Sequence, residues 1–190
     1  MADDDRSYGD PARPGAPSAE AWTALLRALL CWRGAEQMRA DADEAVCRFA
    51  AGSFVTPAPA LMQGIAYILC GDLEGGDESL EDAVSVGEVT GAPEDLAVGL
   101  CERSLVAMAR SQWDRAEVLS GRAGAVLCRA GIEESFATPL ICALRARAAI
   151  HRADVPAARR ELLSAQHLRH LLTYALPYLA VQARIELARG

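Results

Sequence analysis

Residues 71–84 read GDLEGGDESLEDAV, and much the same pattern returns at 111–126 as SQWDRAEVLSGRAGAV and at 153–166 as ADVPAARRELLSAQ. Aligned on Leu73, Trp113 and Val155, each copy carries a small residue three places on, Gly76, Ala116 and Ala158. An alanine follows ten places on, Ala83, Ala123 and Ala165, while position seven is Leu80, Ser120 and Leu162. Offsets of zero, three, seven and ten fall on one side of an α-helix. The small residues let a partner helix approach closely, and the larger ones at zero and, in two copies, at seven fill the seam. Copies 40 and 42 residues apart mark a repeat architecture in which each helix pair stacks on its neighbours.

Working outward from these copies, the apolar spacing is three and four throughout, so the chain is read as all-α. Ser18 is placed as N-cap of a helix beginning AEAWTALLRALLCW, with Trp22, Leu25, Leu26, Leu29 and Leu30 as its apolar stripe and Gly34 as its break. Ala35, Met38, Ala42 and Ala45 form a fainter earlier copy of the repeat, and the prolines of GSFVTPAP end that hairpin. Three further hairpins follow, with turns at Gly71, Gly91 and Gly131, and a ninth helix opens at Pro177. Residues 1–18, rich in Pro, Gly and Asp, are expected to be a disordered acidic tail, and residues 19–190 one helical repeat domain. The architecture expected is a right-handed α-solenoid of helix hairpins.

Composition agrees with packed helices. Aromatic residues make up only 5% of the chain, leaving Ala, Leu and Val to build the core. The net charge of −7 is uneven: residues 1–128 hold 10 Arg and 21 acids, residues 129–190 hold 9 Arg and 5 acids. An acidic body argues against wrapping nucleic acid, so no direct nucleic-acid partner is expected. All 19 basic residues are Arg; with no Lys there is no phosphate-binding-loop lysine and no Schiff base. The acidic N-terminus is unlike a signal peptide, and no apolar run approaches the ~20 residues of a membrane span.

The six cysteines, Cys31, Cys47, Cys70, Cys101, Cys128 and Cys142, contain no close pair, which disfavours zinc and a disulfide scaffold. Read as small apolar residues of reduced thiol, they point to the cytoplasm. His167 and His170 share a helical face but have no further metal ligand nearby, and His151 is placed at a helix C-terminus facing free carbonyls. No nucleophile motif is present, so no catalytic residue, cofactor or metal is assigned. If the hairpins form a groove, the first helix of each lines it. The polar candidates there are Gln63 and Tyr67, Glu102 and Arg103, Arg145 and Arg147, and Gln182 and Arg184.

The motif of a small-residue helix followed by G-D-aromatic/aliphatic-x-x-A-x6-A resembles the tetratricopeptide repeat, with a longer period than is usual there. The wording of GAEQMRADADEAV, GDLEGGDESLEDAV, RSQWDRAEVL and, above all, HRADVPAARRELLSAQHLRHLLTYALPYLAVQARIELAR is similar to the repeat region of large LuxR-type transcriptional regulators of the MalT kind, over about residues 20–190. That resemblance implies a superhelix receiving an inducer or a regulatory protein. The nucleotide-binding and helix-turn-helix parts of such regulators are not matched, so ATP hydrolysis and promoter binding are not carried over. The expected role is a non-catalytic interaction or sensor module, a fragment or relative of such a regulator. The alternative is a stand-alone scaffold. The partner is a protein, peptide or small effector in the concave groove, and the unpaired last helix suggests self-association.

Overall fold

The computed structural model describes residues 16–50, 55–132 and 134–165. Among these residues the chain is all-helical, with eight α-helices and no strand. They are α1 (Ala19–Leu30), α2 (Ala35–Ala50), α3 (Ala58–Leu69), α4 (Leu73–Thr90), α5 (Pro93–Ala109), α6 (Trp113–Arg129), α7 (Thr138–His151) and α8 (Val155–Ser164). The ninth helix, Gln182, Arg184, His167, His170 and most of the acidic tail lie outside the described residues.

Local chemistry sets the helix ends. The Ser18 hydroxyl accepts from the Ala21 amide at 3.2 Å and caps α1. Asp72 and Asp154 do the same for α4 and α8, accepting from the Gly75 and Ala157 amides at 2.9 Å each. The three tight turns that precede α4, α6 and α8 share one geometry. Two residues before each helix the backbone is left-handed: Gly71 at φ 88°, Ser111 at 59° and Ala153 at 59°. The next amide then bonds back to a carbonyl five residues earlier: Asp72 to Tyr67 at 2.9 Å, Gln112 to Ala107 at 2.8 Å, Asp154 to Ala149 at 2.8 Å. Only the first turn has the glycine that this conformation favours. Ala153→Gly is therefore expected to stabilise the fold by about 1 kcal/mol, read as a higher urea midpoint. An unchanged or lower midpoint would show that the turn carries no strain.

The small residues of the repeat lie where helices cross. Gly76, Ala83, Ala116, Ala123, Ala158 and Ala165 are all buried, while Leu73, Trp113 and Val155 are half-buried at the helix starts. Nine places before each repeat start stands a small residue of the preceding helix: Gly64 meets Gly76, Ser104 meets Ala116, and Ala146 shares a buried cluster with Ala158. A Cβ on Gly64 would sit 2.9 Å from the Gly76 carbonyl oxygen, so α3 and α4 meet backbone to backbone. Between α5 and α6 the Ser104 hydroxyl donates to the Ala116 carbonyl at 2.8 Å.

The largest core spans α3 to α7, with Leu80, Leu100, Leu140 and Leu144 fully buried. Smaller clusters join α1 and α2 to α3, and α7 to α8. Each helix packs on the next in chain order. In addition the backbones of α1 and α3, α3 and α5, and α5 and α7 approach closely, whereas α4 and α6 meet through side chains, Arg115 and Arg122 reaching Asp77 and Glu88. Trp113 lies against the core and stacks face to face on His151, ring centres 3.8 Å apart and planes 9° apart. That stacking, rather than a free carbonyl, is the contact the structure shows for the His151 ring. No helix of the described residues is long and apolar enough to cross a membrane.

Candidate functional site on the odd-helix face

The groove candidates separate into two groups. Gln63 and Tyr67 of α3 both reach back to α2, donating to the same Asp43 carboxylate oxygen at 2.8 and 3.0 Å. The Ser79 hydroxyl of α4 donates to the Gln63 carbonyl at 3.2 Å, and the Arg39 guanidinium lies 4.2 Å from the Tyr67 ring centre. Burial first, then the bond to Asp43, pushes the Tyr67 phenol above its ordinary value. Arg103 of α5, 8% exposed, is bound to the preceding hairpin in the same way. Its Nε donates to Asp77 at 2.8 Å and its Nη1 to Glu81 at 3.3 Å; Arg115 of α6 takes the other Asp77 oxygen at 2.8 Å. These side chains hold one hairpin to the next. Among the described residues their polar atoms are engaged inside the fold.

Glu102 faces elsewhere. On α5 the residues that escape burial after the proline of its first turn are Glu94, Asp95, Glu102, Leu105 and Ala109. At 100° per residue they form one stripe. α5 packs on α3, α4, α6 and α7, and the stripe is the part of its surface that these neighbours leave uncovered. Glu102 lies at the repeat position held by Met62 in α3 and Leu144 in α7, so an acid stands where the other copies are apolar. No hydrogen bond or ion pair engages it among the described residues. No fully buried side-chain oxygen among the described residues lacks a partner, so the Glu102 carboxylate keeps some contact with solvent. Burial raises it from the ordinary 4.5 to about 7. Asp95, two turns earlier, is also raised, by burial and then by the neighbouring Glu94.

The sign of the pH effect follows. A carboxyl raised in the folded state contributes stability that is fully present below its unfolded value and is lost as pH rises through the folded value. For Glu102 that window runs from 4.5 to about 7. Glu102→Gln is expected to remove this slope and to stabilise the fold at pH about 8 by on the order of 2 kcal/mol. Thermal melts of both proteins across the window check this; parallel curves would show that Glu102 is solvated as on any surface.

Arg147 of α7 is half-buried at the position equivalent to Leu105 on this stripe. Arg145 belongs to the other set by register, with Gln63 and Arg103, but packs over Gly124 of α6. Helical spacing placed all eight candidates on first helices of hairpins. It could not separate those turned to a preceding hairpin from those turned to the open side. The signal that does so was present in the repeat itself: Gln63, Arg103 and Arg145 are each ten residues before a repeat start, and Glu102 is not. The acids that receive these side chains, Asp43 and Asp77, lie on second helices, where no spacing in the sequence marks them.

Elsewhere, a cleft of about 600 Å3 lies between α1 and α2. Leu26, Leu30 and Trp32 (83% exposed) stand along it, and Arg27 pairs there with Asp41 at 3.2 Å and Glu44 at 2.5 Å. The cysteines of the chain are free thiols; burial holds Cys101 well above its ordinary value. Among the described residues no cluster of His, Cys, Asp and Glu has metal-site geometry. Compared with protein-family models, curated proteins and solved structures, the chain matches none.

Proposed function

We propose that the chain is a right-handed α-solenoid of tetratricopeptide-like hairpins, acting as a non-catalytic interaction or sensor module. Its target is a protein or peptide segment, or a small effector, that lies along the face formed by α3, α5 and α7. The observation that carries this reading is Glu102: a largely desolvated acid with no partner among the described residues, replacing the apolar residues of the other repeats. Leaving such a group uncompensated costs stability, and a cationic group of a ligand would offset that cost. Among the described residues, successive odd-numbered helices approach backbone to backbone while α4 and α6 meet through side-chain ion pairs, which supports a face that curves inward on the odd side. Free thiols suit a reducing compartment, the cytoplasm. The kinship with the effector-receiving repeats of LuxR-type regulators rests on the sequence stretches alone, and the binding role does not depend on it.

Affinity capture with the full chain tests the reading. Wild type is expected to hold its partner at pH about 8 and to release it as Glu102 takes up a proton below about 7. Glu102→Gln, checked for helix content by circular dichroism, should lose the partner at both pH values. Recovery of the same proteins by wild type and Glu102→Gln would move the binding face away from α5.

A further inference from the structure

The connection between α6 and α7 spans residues 130–137, whereas only Gly91 and Ala92 join α4 to α5. Beside this longer connection a cavity of about 350 Å3 opens between α6 and α7. Leu127, Ile132 and Ile141 supply apolar walls, and Thr138 and Arg145 are its hydrogen-bonding side chains apart from thiols. Volumes in this range are those of small-molecule sites.

Arg145 is the unusual member of its set. Gln63 finds Asp43 on the preceding hairpin, eight places into that copy. Arg103 finds Asp77 and Glu81, four and eight places into its own. The corresponding residues before Arg145 are Glu117 and Gly121. Glu117 is paired with Arg152 instead, and Gly121 has no side chain to offer. Among the described residues Arg145 therefore has no hydrogen bond or ion pair, although it is half-buried. Its guanidinium lies over the bare backbone at Gly124, where a Cβ would collide with Nη2. The guanidinium of a half-buried arginine at an apolar cavity, with no acid among the described lining residues, is complementary to one planar anion carrying an apolar body.

We propose that the α6–α7 cavity binds a small carboxylate with an apolar body, such as a medium-chain or aryl-alkyl acid. The carboxylate pairs with the Arg145 guanidinium and the apolar body rests on Leu127, Ile132 and Ile141. The site lies at a hairpin junction and stands independently of the Glu102 face, so either assignment can fail without the other.

Calorimetric titration of the full chain with sodium octanoate tests this, with octyltrimethylammonium as the opposite charge. Octanoate is expected to fill one site in the sub-millimolar range and the cation to show no saturable binding. Arg145→Gln should weaken octanoate by about tenfold or more, the loss of a charge-assisted pair. Gly124→Ala provides a second variant that keeps the fold, since alanine favours the helix. Its Cβ displaces the guanidinium, so octanoate should weaken while the melting temperature is held or raised. Octanoate binding that survives both substitutions would overturn the proposal, as would no binding up to about 10 mM. A melting temperature lowered by Arg145→Gln in a protein that ignores octanoate would also overturn it, because a carboxylate of the chain itself would then hold Arg145.

Discussion

Ala116→Arg is expected to lower the melting temperature by roughly 10 °C or more, the loss of about 3–5 kcal/mol for an uncompensated buried charge. Ala116 is fully buried at the crossing of α5 and α6. Its carbonyl accepts the Ser104 hydroxyl at 2.8 Å, and its 0% exposure leaves no room for a longer side chain without moving a neighbour. An arginine there must either part the helices or place a guanidinium in the largest core. Ala125→Arg, on the exposed side of the same helix, is the control and should change stability by no more than about 0.5 kcal/mol. Equal melting temperatures for the two variants would show that the crossing yields without cost and that the third position of the repeat is not a packing position.

The second large effect is expected at Asp77, whose two oxygens bind Arg103 and Arg115 at 2.8 Å each. Asp77→Ala leaves the Arg103 guanidinium inside the α4–α5 seam with only the longer, exposed contact to Glu81 at 3.3 Å. A loss of about 2–4 kcal/mol follows, at the lower side of what breaking a fully buried pair costs because Glu81 remains. Replacing both partners, Asp77→Leu with Arg103→Met, should recover most of that loss, since neither charge is then stranded. If the double variant is as unstable as Asp77→Ala, shape rather than charge holds the seam. The pH dependence has the opposite sign to that of Glu102. Burial alone would raise the Asp77 carboxyl, yet the hydrogen bonds and charges of Arg103 and Arg115 hold it below its ordinary 3.8. Its contribution is present above the unfolded value and is lost as pH falls through the lowered folded value. Wild type and Asp77→Ala should therefore converge in strong acid.

Much of the fold was legible because helical packing writes itself into spacing. Gly76, Ala116 and Ala158 are small and buried against the preceding helix, and they recur at intervals of 40 and 42 residues. Ser18 could be read as a cap because its partner, the Ala21 amide, is three residues away in the same chain segment. The turns at Ser111 and Ala153 were less legible. Their left-handed backbone is imposed by two helices already committed to pairing, and neither residue advertises it as Gly71 does.

The candidate site was legible only in part. What the sequence by itself determined is helix, register and the set of polar residues on first helices, all of which follow from the period of the α-helix and the distance between copies. What only the tertiary structure decided is the direction in which each of those residues looks. A face is defined by sequence relative to its own helix axis, whereas its neighbour is set by how the next helix crosses. Thus Gln63 and Arg103 close seams on Asp43 and Asp77, and Glu102, one residue before Arg103, lies on the uncovered stripe of α5 with no partner among the described residues. Arg145 has the same register as Arg103. It stands over a cavity because Glu117 is taken by Arg152 and because Gly121 and Gly124 present no side chain, facts that belong to the meeting of two hairpins and not to either one.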